Sequence, residues 1–295
     1  MTTLAPRVEP KEEKDKTVKV DTAKVTSISQ QIQASFQKPG TTIENRGISI
    51  IIYGDGGVGK TSLIKTLLGW EHGKGYVNKP YCKPEEIFVI NIEAGESVLR
   101  RGDDKKLVVT LYEVKQEADS LIKFSGLIQY LYENPHPFKF IFVDNMTELE
   151  KFYLIALTRS KELNVPRQKE WGDTSYYLRK TIRDLRNLTY KDINIIFNFW
   201  KMIVPIEDAD GHLTSYEAPM VMRSTTMEYI GLVDHTAMMG ISKEGTRFLQ
   251  FESDCRVMAK HRDSGDGPSV LENYERADLA AIFTKLRGPS GLTKA

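Results

Sequence analysis

Cysteine is scarce in this chain: Cys82 and Cys255 are the only two in 295 residues, and they lack the spacing of metal ligands. A disulfide framework and a cysteine-built zinc site are thereby excluded. With no apolar signal-like segment at the start of the sequence, an intracellular, cytoplasmic setting is expected. Long apolar runs are also missing. No segment approaches the roughly 20 residues of a membrane helix, so a membrane is not an expected partner. Charge of one sign is not in surplus either, with 41 Lys and Arg against 40 Asp and Glu and a net charge of +1. This balance neither favours nor excludes nucleic acid, because a local basic channel can lie on a neutral protein. Internal repeats and low-complexity blocks are lacking, which excludes an array of modules.

What is present is a chain with 40% hydrophobic residues, enough for a sizeable core. Residues 1–46 are rich in Lys, Glu, Ser, Thr and Gln and read as a flexible arm. Within them Val25, Ile28, Ile32 and Phe36 lie at roughly helical spacing and offer an alternative role in docking a neighbouring subunit. Residues 288–295 read as a flexible tail.

From residue 47 to about residue 200, apolar strand candidates (48–53, 87–92, 107–112, 138–143, 194–199) alternate with amphipathic helix candidates (61–69, 119–133, 146–163, 174–189). That alternation predicts an α/β fold, a mostly parallel sheet flanked by helices. Beyond Trp200, turns at Asp210-Gly211 and Glu244-Gly245 separate strand-like runs 235–241, 246–251 and 256–260, expected as antiparallel additions at the C-terminal side. A last helix is expected over 276–286, closing a domain that spans 47–287.

The chemistry is carried by Gly54-Asp55-Gly56-Gly57-Val58-Gly59-Lys60-Thr61, a GxxxxGK[ST] loop with a β-branched strand before it and a helical pattern after it. The glycines let successive N–H groups turn toward one anion. Lys60 supplies charge for the β- and γ-phosphates, the Thr61 hydroxyl can ligate Mg²⁺, and Ser62 completes the nucleotide-binding set. A nucleoside-triphosphate site follows from this order of elements. Phe138-Lys139-Phe140-Ile141-Phe142-Val143-Asp144 is a hydrophobic strand ending in an acid. Ligands gather at the carboxyl ends of parallel strands, so Asp144 is expected to support the metal, with capping of the next helix as its alternative role.

The residue after Asp144 is Asn145, not a second acid, so a catalytic base must come from elsewhere. Glu93 follows the strand at 87–92 and could polarise water for in-line attack on the γ-phosphorus. A surface-turn role is its alternative, and Glu148 is the competing carboxylate. Lys260 and Arg262, two residues apart on an extended segment, could reach one phosphate together; a solvated basic turn is the alternative. Arg167, Lys169, Trp171, Tyr176 and Tyr177 mix cations with rings, as single-stranded nucleic acid would require, with burial of the rings in the core as the alternative.

These pieces, in their order (GDGGVGKTSL, NIEAG, FIFVDN, the Glu170-Trp171-Gly172 segment, RFLQFES, MAKHR), resemble a RecA-like P-loop ATPase core over about residues 47–287. More narrowly, the chain resembles phage-encoded AAA-type ATPases, including the Sak-type single-strand-annealing recombinases. The resemblance implies a homo-oligomeric ATPase, with Mg²⁺-ATP as its cofactor-bound nucleotide, acting on single-stranded DNA in phage recombination or replication. It also implies Asn198 as the γ-phosphate sensor, Lys260 and Arg262 as groups donated to a neighbouring subunit's nucleotide, and the 201–224 segment, with Lys201 and Arg223, as a DNA-contacting loop. Two other readings stay open: a nucleotide-dependent assembly factor or switch with little turnover, and a P-loop kinase, although no lid-like cluster of arginines supports the latter.

Overall fold

The computed structural model describes residues 46–100, 105–115, 120–207, 213–222, 224–262 and 269–287. The arm up to residue 45, the tail at 288–295, the Asp210-Gly211 turn and Arg223 therefore lie outside the described residues.

Strand β1 (Ser49–Gly54) is buried along its whole length. It leads through the phosphate loop into α1 (Lys60–Leu63), which tightens into a 3₁₀ turn over Ile64–Leu68. The helix expected over 61–69 is thus α-helical for only its first turn. A small hairpin, β2 (Trp70–Glu71) with β3 (Gly75–Tyr76), follows, then β4 (Ile87–Asn91) and β5 (Thr110–Glu113). The chain continues through α2 (Ser120–Glu133), β6 (Phe140–Asp144), α3 (Met146–Ser160) and α4 (Gln168–Asn187). Helix α4 starts six residues ahead of the expected 174 because Glu170 Oε2 accepts the Arg167 N–H at 2.9 Å and closes the helix start there.

The long strand β7 (Asn194–Glu207) and β8 (Leu213–Pro219) precede a short helix, α5 (Thr226–Leu232). Then come β9 (His235–Ile241), β10 (Arg247–Gln250), β11 (Tyr274–Arg276) and α6 (Leu279–Arg287). Among the described residues, the main sheet runs β11-β10-β9-β1-β7-β6-β4-β5, with β8 pairing off the end of β7. Strands β9, β1, β7, β6, β4 and β5 are parallel, whereas β10 runs antiparallel to both of its neighbours, β9 and β11. The expected fold class is therefore the observed one, a mostly parallel sheet with antiparallel strands at its C-terminal side.

Three expectations for the C-terminal region need correction. The run 235–241 pairs parallel with β1, Ile50 opposite His235 and Tyr53 opposite Met238, so it belongs to the parallel core. The run 256–260 makes only isolated bridges at Val257 and Lys260. The final helix begins at Leu279, because Tyr274–Arg276 is drawn into the sheet by β10.

The period-two alternation of a strand decides which layer each residue enters. Ile51 and Tyr53 of β1 face a core shared with Phe124 of α2, Leu149 of α3 and Leu178 of α4. Ile50 and Ile52 face the other, where Leu63, Leu67, Ile282 and Phe283 close the opposite side. Burial on both faces explains why these strands read as unbroken apolar runs. No helix among the described residues is long and apolar enough to cross a membrane.

Candidate functional site

The phosphate loop needs its glycines for two separate reasons. Gly57 and Gly59 adopt φ values of 77° and 109°, where a side chain would strain the backbone. Gly54 is hemmed in by β9: a Cβ there would stand 2.5 Å from the Met239 carbonyl oxygen. With the loop so folded, Lys60 turns back over it and donates from Nζ to the carbonyls of Gly54 and Asp55, both at 2.9 Å. Lys60 is only 7% exposed, and burial holds its ammonium below the usual lysine range, against the pull of Asp144, Glu93 and Asp55.

Beside the lysine, Thr61 Oγ1 donates to Asp144 Oδ2 at 2.6 Å, and Asn198 Nδ2 donates to Asp144 Oδ1 at 3.1 Å. The register that sets Phe142 of β6 opposite Ile196 of β7 brings Asp144 and Asn198 together at the carboxyl end of the sheet. A hydroxyl and a carboxylate side by side are hard oxygen donors of the kind Mg²⁺ takes. Asn198 Oδ1 is buried and has no hydrogen-bond partner, an unsatisfied acceptor on the same side chain.

Glu93 emerges from the end of β4, where the N–H groups of Ile92 and Glu93 donate to the Asp144 carbonyl at 2.7 and 3.3 Å. Ala94, at φ 57°, turns the chain immediately afterwards. Both carboxylate oxygens of Glu93 accept hydrogen bonds, Oε1 from the Trp200 indole at 3.2 Å and Oε2 from the Asn145 amide. Burial, seconded by the charge of Asp144, pushes the Glu93 carboxyl above its usual range, while Trp200, Lys60 and Asn145 pull it back. The competing Glu148 sits in the first turn of α3, its carboxylate on Lys151 at 2.7 Å. Asn145 caps that helix, its Oδ1 accepting the Glu148 N–H at 2.8 Å, so capping of the helix is done by Asn145 and not by Asp144.

Other sequence candidates land elsewhere. Lys260 donates to the carbonyls of Ile230, Gly231 and Val233 at 2.9, 3.1 and 2.6 Å, satisfying the C-terminus of α5. The expectation of a free cationic pair is corrected on this point, because the Lys260 ammonium is already occupied. Arg262 lies 3.5 Å from Asp234 and remains half exposed. Both sit near Thr236 and Ser49, at the amino end of β1 and β9, whereas the phosphate loop leaves the carboxyl end.

Lys201 is likewise committed within the chain, at 2.9 Å from Asp55 Oδ2 and 2.8 Å from Glu217 Oε1. A free DNA-contacting lysine is not what the structure provides there. Trp171, Tyr176 and Tyr177 are all exposed on the first half of α4, with Tyr177 also stacked on Tyr153 at 6.0 Å.

Residues that sequence reasoning missed complete the site. Asn145 and Trp200 hold Glu93, and Arg247 donates from Nε to the Val58 carbonyl at 2.8 Å, lying against the loop from the start of β10. Only Asn145 carried a local signal, a capping residue directly after a strand-ending acid. A cavity of about 380 Å³ opens beside the loop, lined by Gly57, Ser62, Trp70, His72, Thr246 and Arg276.

Among solved structures, the chain is similar to the flagellar accessory protein FlaH from Methanocaldococcus jannaschii, at 12% identity and a TM-score of 0.37, over 78% of this chain and 84% of that one. No curated protein matches it. The family described as AAA domain matches residues 46–262, a span that takes in the phosphate loop, Glu93, Asp144 and Asn198; the chain belongs to that family of P-loop ATPase domains.

Proposed function

We propose that this protein binds Mg²⁺-ATP at Gly54–Thr61 and hydrolyses it, with Glu93 activating the attacking water, and that it acts on single-stranded DNA as a homo-oligomer. The observation that carries this reading is the Glu93 carboxylate at the carboxyl end of β4, beside the hydrogen-bonded Thr61 and Asp144. A carboxylate in that position can take a proton from water lined up with the γ-phosphorus.

Thr61 and Asp144 would hold the Mg²⁺, which when bound offsets charge on the β- and γ-phosphate oxygens. Lys60 exchanges the two loop carbonyls for phosphate oxygens. Asn198 senses the γ-phosphate through Asp144, the carboxylate it already touches. The cavity bounded by Trp70, Thr246 and Arg276 is of the volume that takes a nucleoside.

The exposed rings of Trp171, Tyr176 and Tyr177, with Arg167 and Lys169 at the same end of α4, support contact with single-stranded DNA through stacking and phosphate pairing. Arg262, half exposed and remote from its own phosphate loop, is the residue offered to a neighbour's nucleotide. A role in phage recombination or replication is supported by the sequence resemblance alone.

ATP turnover with and without single-stranded oligonucleotides tests the reading. Mg²⁺-dependent hydrolysis stimulated by single strands is expected, the DNA affinity falling steeply between roughly 50 and 200 mM salt as counterions compete for the phosphates. A second reading, a nucleotide-dependent switch with little turnover, is favoured by one observation: both oxygens of Glu93 are already engaged by Asn145 and Trp200. Tight ATP binding without hydrolysis, and without binding to any oligonucleotide at low salt, would select it.

A further inference from the structure

Strand β7 changes partner at Trp200. Up to that residue it is a core strand, with Ser49–Gly54 of β1 opposite Ile195–Trp200; from Lys201 onward it pairs with β8 and forms one side of an antiparallel arm. Three side chains around this junction reach three different acids of the nucleotide site. Asn198 donates to Asp144 at 3.1 Å, Trp200 to Glu93 at 3.2 Å, and Lys201 pairs with Asp55 at 2.9 Å. Asn198 and Trp200, two residues apart, share one face of the strand.

Trp200 is itself firmly seated. Its N–H donates to Thr147 Oγ1 at 3.0 Å, its carbonyl accepts the Met220 N–H at 2.7 Å, and the Lys151 ammonium lies 4.2 Å over its ring. The Thr147 hydroxyl in turn donates to the Met220 carbonyl at 2.8 Å, tying α3 to the chain leaving the arm. The indole N–H is therefore a fixed donor on the strand that carries the arm, and Glu93 Oε1 is its acceptor.

We propose that Trp200 is a positioning residue for Glu93: its indole fixes the carboxylate that turns water toward the nucleotide, and joins that carboxylate to the β7–β8 arm. The proposal rests on reading Glu93 as the group that activates water. The last torsion of a glutamate side chain is soft, so a carboxylate held at one oxygen only, by Asn145, swings over a wide arc. Proton transfer requires hydrogen-bond reach to one particular water, and a small misplacement of the base costs rate without altering affinity for ATP. Lys201, the next residue, ties the same point of the strand to Asp55 of the phosphate loop and Glu217 of β8, so a displacement of the arm reaches both halves of the site.

Trp200→Phe keeps a smaller aromatic face for Lys151 and removes the N–H donor to Glu93. The expected result is a Mg²⁺-ATP Kd within about twofold of wild type, with kcat lowered by about tenfold or more and KM little changed, since the lost bond was made to a charged group. In a Glu93→Gln background, adding Trp200→Phe should lower kcat by less than about twofold, because the carboxylate it holds is gone. A purely structural role for the ring would instead give additive losses and weakened ATP binding. Wild-type turnover in Trp200→Phe overturns the proposal, and so does a loss that adds fully to that of Glu93→Gln. Full activity in Glu93→Gln alone, or a wild type that binds ATP and never hydrolyses it, overturns the reading of Glu93 together with the proposal, and shows itself before Trp200 is touched.

Discussion

Replacing Lys60 by methionine should separate the nucleotide site from the fold. Methionine keeps the aliphatic stem, so little packing is lost. The two charge-assisted bonds to the Gly54 and Asp55 carbonyls disappear, worth together about 3–6 kcal/mol before compensation. Against that stands the cost of keeping an ammonium in a place where burial already lowers its pKa, a cost the variant no longer bears. The two contributions oppose each other, and the net change in stability should stay within about 2 kcal/mol, less than about 8 °C in melting temperature for a domain of this size. Nucleotide affinity has no such compensation. Losing the one loop cation that can leave its carbonyls for the phosphates should weaken Mg²⁺-ATP by about 100-fold or more. Calorimetric melting and titration calorimetry on the same preparation read both quantities. A methionine variant that binds Mg²⁺-ATP as tightly as wild type, or that fails to fold, would refute the reasoning.

Two further predictions concern the opposite end of β1. Asp234 accepts the Ser49 N–H at 2.9 Å and the Ser49 hydroxyl at 2.7 Å, and pairs with Arg46 at 2.6 Å. Although burial opposes its charge, these partners, with His235, hold its carboxyl below the usual range. A depressed folded pKa means stability that is present above the unfolded value and lost as pH falls through the folded one. Asp234→Asn should thus be less stable at pH 7, by about 2 kcal/mol, and the difference should shrink below about pH 4 as the wild-type carboxyl protonates; a gap that persists in acid contradicts the assignment. Arg262→Ala should bind ATP normally yet hydrolyse it poorly, by ~10³-fold or more if Arg262 serves a neighbour's nucleotide. Mixing it with Lys60→Met protein should restore activity at interfaces that pair an intact loop with an intact arginine, whereas full activity of Arg262→Ala alone removes the trans arrangement.

The parallel core was legible because its strands are buried on both faces, so β1, β4 and β6 read as apolar runs that end at Gly54, Asn91 and Asp144 within a residue or two of where they were expected. The phosphate loop was legible because its glycine and lysine spacing is dictated by backbone geometry. The arm was not: beyond Trp200, β7 leaves the core and its residues become mostly half-exposed or exposed, which removes the apolar signal that marked the strand. Nor does spacing reveal that Lys260 is occupied, since two of its three carbonyl partners come from a seven-residue helix ending nearly thirty positions earlier and the third from Val233 just after that helix. Trp200 and Asn145 likewise meet Glu93 only through the strand order β7-β6-β4, a tertiary fact with no trace in local sequence.

The central claim, that Glu93 turns water toward bound ATP, is tested most directly by single-turnover hydrolysis of Mg²⁺-ATP in Glu93→Gln alongside Glu148→Gln. Glu93→Gln should bind Mg²⁺-ATP with wild-type affinity and cleave it ~10²-fold or more slowly, the amide keeping the shape of the side chain and losing its basicity. Glu148→Gln should cleave near the wild-type rate, because its carboxylate is directed to Lys151. The reverse pattern, a fast Glu93→Gln and a slow Glu148→Gln, would contradict the account.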